Sequence, residues 1–146
     1  MKKFIAMICS LLFVFQVMDA QDEVTQDVKK LPVTAREFIK KQFPETSISY
    51  FKIDKDLFSA PKYDVKLADG MEIEFDSQGE WTEIDCKPRA VPSSLIPNTI
   101  MQYMKQQYAN HHIVKIERDR KGYELTLDNG LEVEFDQYGG FIKLND

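Results

Sequence analysis

Two stretches of the chain, EIEFDSQGEW from Glu72 and EVEFDQYGGF from Glu132, each carry a pair of glutamates two residues apart. In an extended strand, residues two apart project from the same side, so Glu72 with Glu74, and Glu132 with Glu134, place paired carboxylates on one face. Such pairs can do general acid–base work, or supply the hard oxygen ligands that calcium takes. Neither use has its usual frame here. The spacing matches no calcium-binding loop, and no HExxH, CxxC, GxSxG or glycine-rich phosphate motif occurs.

Other reactive side chains are few. The cysteines are Cys9 and Cys86, and the histidines are His111 and His112. Lys87 is the one activating neighbour of Cys86 in sequence, so this residue reads as a tolerated thiol rather than a nucleophile. Adjacent histidines in an extended segment point to opposite faces, so His111 and His112 read as surface residues, not a paired metal site. Lys52, Lys66, Lys115 and Lys143 are expected beside the glutamates, where cross-strand charge pairing explains the stripe without a ligand. The chain is therefore expected not to be an enzyme, and no cofactor or metal is expected. The glutamates remain as a solvated face or a protein-binding one.

The elements that position them are written twice. Tyr63–Asp85 aligns without gaps on Tyr123–Asn145, and eight of the 23 pairs are identical, including Gly70/Gly130, Phe75/Phe135, Asp76/Asp136 and Gly79/Gly139. Upstream, LPVTAREFIKKQF (31–43) resembles IPNTIMQYMKQQY (96–108). Pro32 and Pro97 suit the opening turn of a helix. Ala35, Phe38, Ile39 and Phe43, and then Ile100, Tyr103, Met104 and Tyr108, follow helical spacing.

Strands follow each helix. ISYFKI (48–53) and IVKIE (113–117) are rich in β-branched residues, and YDVKLA and YELTLD alternate apolar with polar residues. Asp69-Gly70 and Asn129-Gly130 predict two-residue hairpins. MEIEF and LEVEF continue the alternation, Asp76 and Gly79 bracket a tight turn, and WTEI and FIKL form the fourth strands. The fold class is α+β: two tandem α-β-β-β-β repeats in one antiparallel sheet, with the helices packed on one face.

Aromatic residues compete for the open face. By strand parity Tyr50, Trp81 and Phe141 point outward, and Trp and Tyr dominate interface hot spots. A bulge after Gly79 or Gly139 would instead turn Trp81 and Phe141 inward, because a one-residue slip exchanges faces. The first repeat also has the longer loop DKDLFSAPK (54–62), where RDRKG (118–122) stands in the second. Asp56, Leu57 and Phe58 at its tip are a candidate binding finger or a segment folded back on its own domain.

Composition sets the compartment and excludes classes. The 146 residues are 43% hydrophobic and 29% charged, with net charge −5, which argues against a nucleic-acid partner. MKK, an apolar run from Phe4 to Val17 and Ala20 before Gln21 form the layout of a secretory signal peptide. The run is too short for a membrane span, so none is expected after cleavage. Removing residues 1–20 takes away Lys2, Lys3 and Asp19, leaving 17 basic against 23 acidic side chains, net −6, and the single thiol of Cys86. The organisation is then a signal peptide (1–20), an N-terminal extension (21–30) and repeats at 31–88 and 89–146.

A signal peptide followed by two copies of a helix and a four-stranded meander carrying GhEhEFDxxGxh (h, apolar) resembles the bacterial PepSY-like, β-lactamase-inhibitor-like proteins. The resemblance spans Leu31 to Asp146. It implies an exported protein whose repeats share one curved sheet with the helices on its convex side. By analogy with the β-lactamase inhibitory protein, it implies a concave face that grips another protein. The lone Cys86 departs from the disulfide-stabilised repeats of that inhibitor, so no inhibitory residue carries over. The expected function is an exported, periplasmic or secreted binding module that inhibits or regulates another envelope or secreted protein or peptide. The candidate site is Tyr50, Asp56, Leu57, Phe58, Glu72, Glu74, Trp81, Glu132, Glu134 and Phe141. The rival reading is binding of a small ligand or cell-envelope component on the same acidic, aromatic face; a third is regulation of a peptidase.

Overall fold

The computed structural model describes residues 21–146, so the signal peptide expected at 1–20 lies outside the described residues. Nine strands form one antiparallel sheet in simple sequence order. They are β1 (Glu23–Thr25), β2 (Ile48–Asp54), β3 (Lys62–Leu67), β4 (Glu72–Phe75), β5 (Trp81–Asp85), β6 (Ile113–Arg118), β7 (Gly122–Leu127), β8 (Glu132–Asp136) and β9 (Phe141–Asn145). Helix α1 (Val33–Gln42) precedes β2, and α2 (Asn98–Gln107) precedes β6. Pro32 and Pro97 stand just before the helices rather than inside them. Short 3₁₀ turns, Val28–Lys30 and Ser93–Leu95, lead into the two helices.

One strand had no sequence signal. The extension at 21–30 supplies β1, which pairs with β2 through Glu23 opposite Ile53 and Thr25 opposite Phe51. EVT is too short to show a period.

The core lies between the helices and one face of the sheet. Val65, Ile73, Ile84, Ile116, Leu125 and Val133 stand opposite one another on successive strands, and each is at most 1% exposed. Because paired residues share a face, this row runs across the join between β5 and β6 without a break. Ala35 and Ile39 of α1 and Ile100 and Met104 of α2 are buried against it. Phe38 meets the Phe75 ring edge-on at 5.9 Å, and Tyr103 meets Phe135 in the same way at 5.4 Å. Each fully buried Leu, Ile, Val or Phe contributes about 1.5–3 kcal/mol, which is why periodic apolar residues decide the fold.

The hairpins differ from the two-residue form predicted for Asp69-Gly70 and Asn129-Gly130. Gly70 N donates to Leu67 O (3.0 Å) and Leu67 N to Met71 O (2.8 Å), which makes a three-residue loop. Within it, Gly70 is the residue with positive φ, and Asp69 Oδ1 accepts from Met71 N at 3.2 Å. The aspartate side chain stabilises a right-handed turn, so a second left-handed residue is not needed. The next turn follows the prediction more closely. Asp76 Oδ1 accepts from Gln78 N (2.9 Å) and Glu80 N (3.0 Å), and Asp136 Oδ1 accepts likewise from Tyr138 N and Gly140 N. Gly79 and Gly139 close these turns at φ +83°. They also give room to the helix starts: a Cβ at Gly79 would lie 2.8 Å from Pro32 Cβ, and one at Gly139 would lie 2.1 Å from Thr99 Oγ1.

Candidate functional site

The face away from the helices is the candidate site, and strand register builds it. Asp64, Glu74, Glu83, Glu117, Glu124 and Glu134 stand in consecutive cross-strand pairs from β3 to β8. Neighbouring strands lie about 4.8 Å apart, and like charges directly opposite are destabilising. Lys52, opposite Asp64, and Lys143, opposite Glu134, end the row. A second row beside it is mixed: Tyr50, Lys66, Glu72, Asp85, Lys115, Thr126, Glu132 and Asn145.

The cations only partly balance the carboxylates. Lys115 Nζ lies 3.2 Å from both Glu83 Oε1 and Glu117 Oε1, Lys143 Nζ lies 3.0 Å from Glu134, and Lys62 Nζ lies 3.8 Å from Glu74. Asp64 and Glu124 form no ion pair among the described residues. Lys66 meets Glu72, as the pattern predicted. Lys52 does not serve the glutamates; it pairs with Asp22, ahead of β1, at 2.8 Å.

This crowding shifts the acids apart. Partial burial and the neighbouring Glu117 push Glu83 up to about 7. Burial and Glu117 push Glu124 up to about 7 as well. Glu117, between them, is held below the usual range because Glu83, and also Lys115 and Glu124, hydrogen-bond to its carboxylate. Asp64 is raised by burial and by Glu74. Burial lowers the Lys115 ammonium, but hydrogen bonds from it to Glu83 and Glu117 outweigh that and raise it. Near neutrality the centre of the row thus holds protons as well as negative charge.

An open hollow of about 840 Å³ lies here, lined among others by Glu74, Glu83, Glu117, Glu124, Glu134 and Arg118. Among the described residues, no three His, Cys, Asp or Glu side chains are grouped to hold one metal ion.

The sequence-predicted residues divide into three groups. Tyr50 (43% exposed), Glu72, Glu74, Glu132 and Glu134 do share the open face. Trp81 does not. The register shifts by one between Glu74 and Phe75, so Trp81 stands opposite Phe75, on the core side, and is 7% exposed. Thr82 is the extra residue, and its hydroxyl donates to Glu74 Oε1 at 3.2 Å. Arg118 then covers the indole, with Cζ 3.9 Å from the ring centroid and Nε donating to Trp81 O at 2.7 Å. Phe141 follows the same shift opposite Phe135 and stacks on Tyr103 of α2 at 5.2 Å, so its 46% exposure lies on the helix side. The outward reading of both aromatics is corrected by the bulges. Asp56, Leu57 and Phe58 form a third group at the β2–β3 loop, where Phe58 is 95% exposed.

Sequence reasoning missed Asp64, Glu83, Glu117, Glu124 and Arg118. Asp64 and Glu124 occupy matching places in the two aligned stretches, which was an available signal. Glu83 and Glu117 meet only through the β5–β6 register, which neither stretch encodes alone.

Two other candidates for chemistry are structural. Cys86 is fully buried, and burial pushes its thiol up to about 11. His111 and His112 do not diverge: both Nδ1 atoms reach Asp128, at 2.8 and 3.0 Å. They precede β6 rather than lie in it, which frees them from strand alternation.

No helix among the described residues is long and apolar enough to cross a membrane. Among curated proteins, none matches the chain. Crystal structures of several periplasmic proteins are similar to it. A periplasmic protein of unknown function from Bacteroides vulgatus is 64% identical, with TM-score 0.84, covering 86% of this chain and 100% of its own. A second from the same organism, described as a periplasmic protein of the DUF2874 family, is 38% identical at TM-score 0.80, covering 88% and 99%. A third, described as a calcium-regulated periplasmic protein from Bacteroides thetaiotaomicron, is 35% identical at TM-score 0.80, covering 86% and 97%. The periplasmic location of these neighbours is that of this chain. Residues 61–143 match the model of the beta-lactamase-inhibitor-like, PepSY-like family, and the chain belongs to that family.

Proposed function

We propose that this chain is a non-enzymatic periplasmic binding module that takes a cationic segment of another protein on its open sheet face. Inhibition or regulation of that partner is the role in view, in keeping with an inhibitor-like family. The observation that carries the reading is the row of six carboxylates from Asp64 to Glu134, kept in register on an exposed face where it costs stability. Sites that bind charge are repeatedly built at such a cost, and complementary potential gives specificity and fast association. The extent of the row, across six strands, suits an extended segment bearing Lys or Arg better than a compact ligand. We read the two α-β-β-β-β sets as a tandem repeat, 31–88 and 89–146, with residues 1–20 as the export signal. Each repeat then supplies half of the row.

A second reading is favoured by one observation: a 35% identical structure is described as calcium-regulated. Calcium takes carboxylate oxygens, and bringing three of them round one ion here requires side chains to move. One experiment separates the readings. Envelope proteins are captured on the wild-type chain and on Glu83→Gln/Glu117→Gln/Glu124→Gln, with calcium or with a chelator. The proposal expects a basic partner held by the wild type alone, whatever the calcium level. Equal capture by the triple variant contradicts it, and capture that needs calcium favours the second reading.

A further inference from the structure

We infer that β9 is a dimerisation edge, where a second copy of this chain adds its own β9 antiparallel to the first. β9 ends the nine-strand order, so one side of its backbone has no strand partner among the described residues. A comparison inside the molecule shows what such a strand ordinarily has. β5 and β9 both follow an Asp-x-x-Gly turn, and both meet the preceding strand through the same one-residue shift. In β5 the apolar side chains are covered: Trp81 is 7% exposed and Ile84 is 0%. At the matching places in β9, Phe141 is 46% exposed and Leu144 is 43%, while Ile142 is 52%.

The neighbour makes the difference. β5 has β6 on its far side, with Glu83 opposite Glu117, Ile84 opposite Ile116 and Asp85 opposite Lys115. An unpaired, apolar edge is a template for another strand. A bulge commonly protects such an edge, but the same shift in β5 leaves residues 83–85 free to pair, so 143–145 are equally free. The opposite edge of the sheet is guarded. β1 has three residues, and the acids there are held in ion pairs, Asp22 by Lys52 and Glu23 by Lys30 and Lys55.

The sequence of β9 is compatible with itself. With Leu144 on a two-fold axis, Leu144 meets Leu144 of the second copy, Lys143 meets Asn145, and Ile142 meets Asp146. No like charges stand directly opposite each other, and each Lys143 keeps its ion pair with Glu134 of its own copy, at 3.0 Å, which offsets its diagonal approach to the Lys143 of the second copy. The contact is isologous, so it closes at two copies rather than growing into a filament. It needs no ligand on the acidic face, and it stands or falls independently of that site.

Sedimentation equilibrium of the exported chain, from micromolar to millimolar concentration, tests the inference. The wild type should show a monomer–dimer equilibrium, and amide exchange at Leu144, whose N–H points to the free edge as that of Ile84 points to β6, should slow as concentration rises. Leu144→Lys, which opposes two ammonium groups on the axis, should weaken the dimer about tenfold or more. Leu144→Gln, which removes the apolar pair without adding charge, should weaken it in the same direction. Leu144 is half-exposed, and thermal melting of each variant verifies the fold separately. A wild type that stays monomeric throughout, or a dimer unchanged in both variants, overturns the inference.

Discussion

Glu83 on β5 and Glu117 on β6 stand directly opposite each other at the join between the two halves of the sheet, with Lys115 Nζ 3.2 Å from an oxygen of each. Two carboxylates at strand spacing cannot both ionise freely, so one keeps its proton and the other accepts a hydrogen bond from it. Glu124, opposite Glu117 on its other side, repeats the arrangement. The charge that the face presents to a partner therefore depends on pH near neutrality.

Stability should show the same dependence. Glu83 and Glu124 titrate at about 7 in the folded chain, above the ordinary glutamate value of 4.5. A raised carboxyl binds its proton more tightly folded than unfolded, so its contribution is full below the ordinary value. That contribution is lost as pH rises through about 7. The thermal midpoint should therefore fall by a few degrees, on the order of 2–8 °C, between mildly acidic and mildly alkaline buffer. Glu83→Gln and Glu124→Gln should each flatten the fall. Calorimetry across that range decides it, and a midpoint that rises with pH in the wild type would contradict the proton-sharing account.

The two most prominent aromatics should behave oppositely. Trp81 is buried beneath Arg118, so Trp81→Ala should cost about 3–5 kcal/mol of stability through the cavity it leaves. Phe58 is 95% exposed, and Phe58→Ala should change stability by about 0.5 kcal/mol or less. Urea unfolding of both variants measures the contrast. Any loss of binding in Trp81→Ala is then a consequence of unfolding, whereas a loss in Phe58→Ala would report a contact.

Glycines of equal φ class should also differ. Gly70 at φ +95° has open space around its Cβ position, while Gly79 at φ +83° faces Pro32 and the Ala35 backbone N–H. Gly70→Ala should cost about 1 kcal/mol for the backbone conformation alone. Gly79→Ala should cost clearly more, because α1 must also move off the turn. Equal costs in denaturant unfolding would remove the turn from its role of seating the helix.

Eight of the nine strands and both helices were legible in the chain, because Val65, Ile73, Ile84 and their counterparts repeat with period two, and Ala35, Ile39, Ile100 and Met104 with helical spacing. The two bulges were legible only as an alternative: the glycine turns at Gly79 and Gly139 allowed a slip after them, but strand alternation alone could not choose between the two registers. The slip that occurs puts Trp81 on the core side, where Phe75, its cross-strand partner, packs against Phe38. The acidic face was half legible: Glu72, Glu74, Glu132 and Glu134 announced it by spacing. Its centre depends on β5 pairing with β6, strands separated in the chain by α2.

Titration calorimetry with an extended Lys- and Arg-rich peptide decides whether the row from Asp64 to Glu134 binds a cationic segment. The wild type should bind, and affinity should weaken as salt screens the charges. Glu83→Gln/Glu117→Gln/Glu124→Gln should lose about tenfold or more in affinity while Phe58→Ala keeps it. Binding that is equal in the triple variant, or absent in the wild type at low salt, would contradict the account.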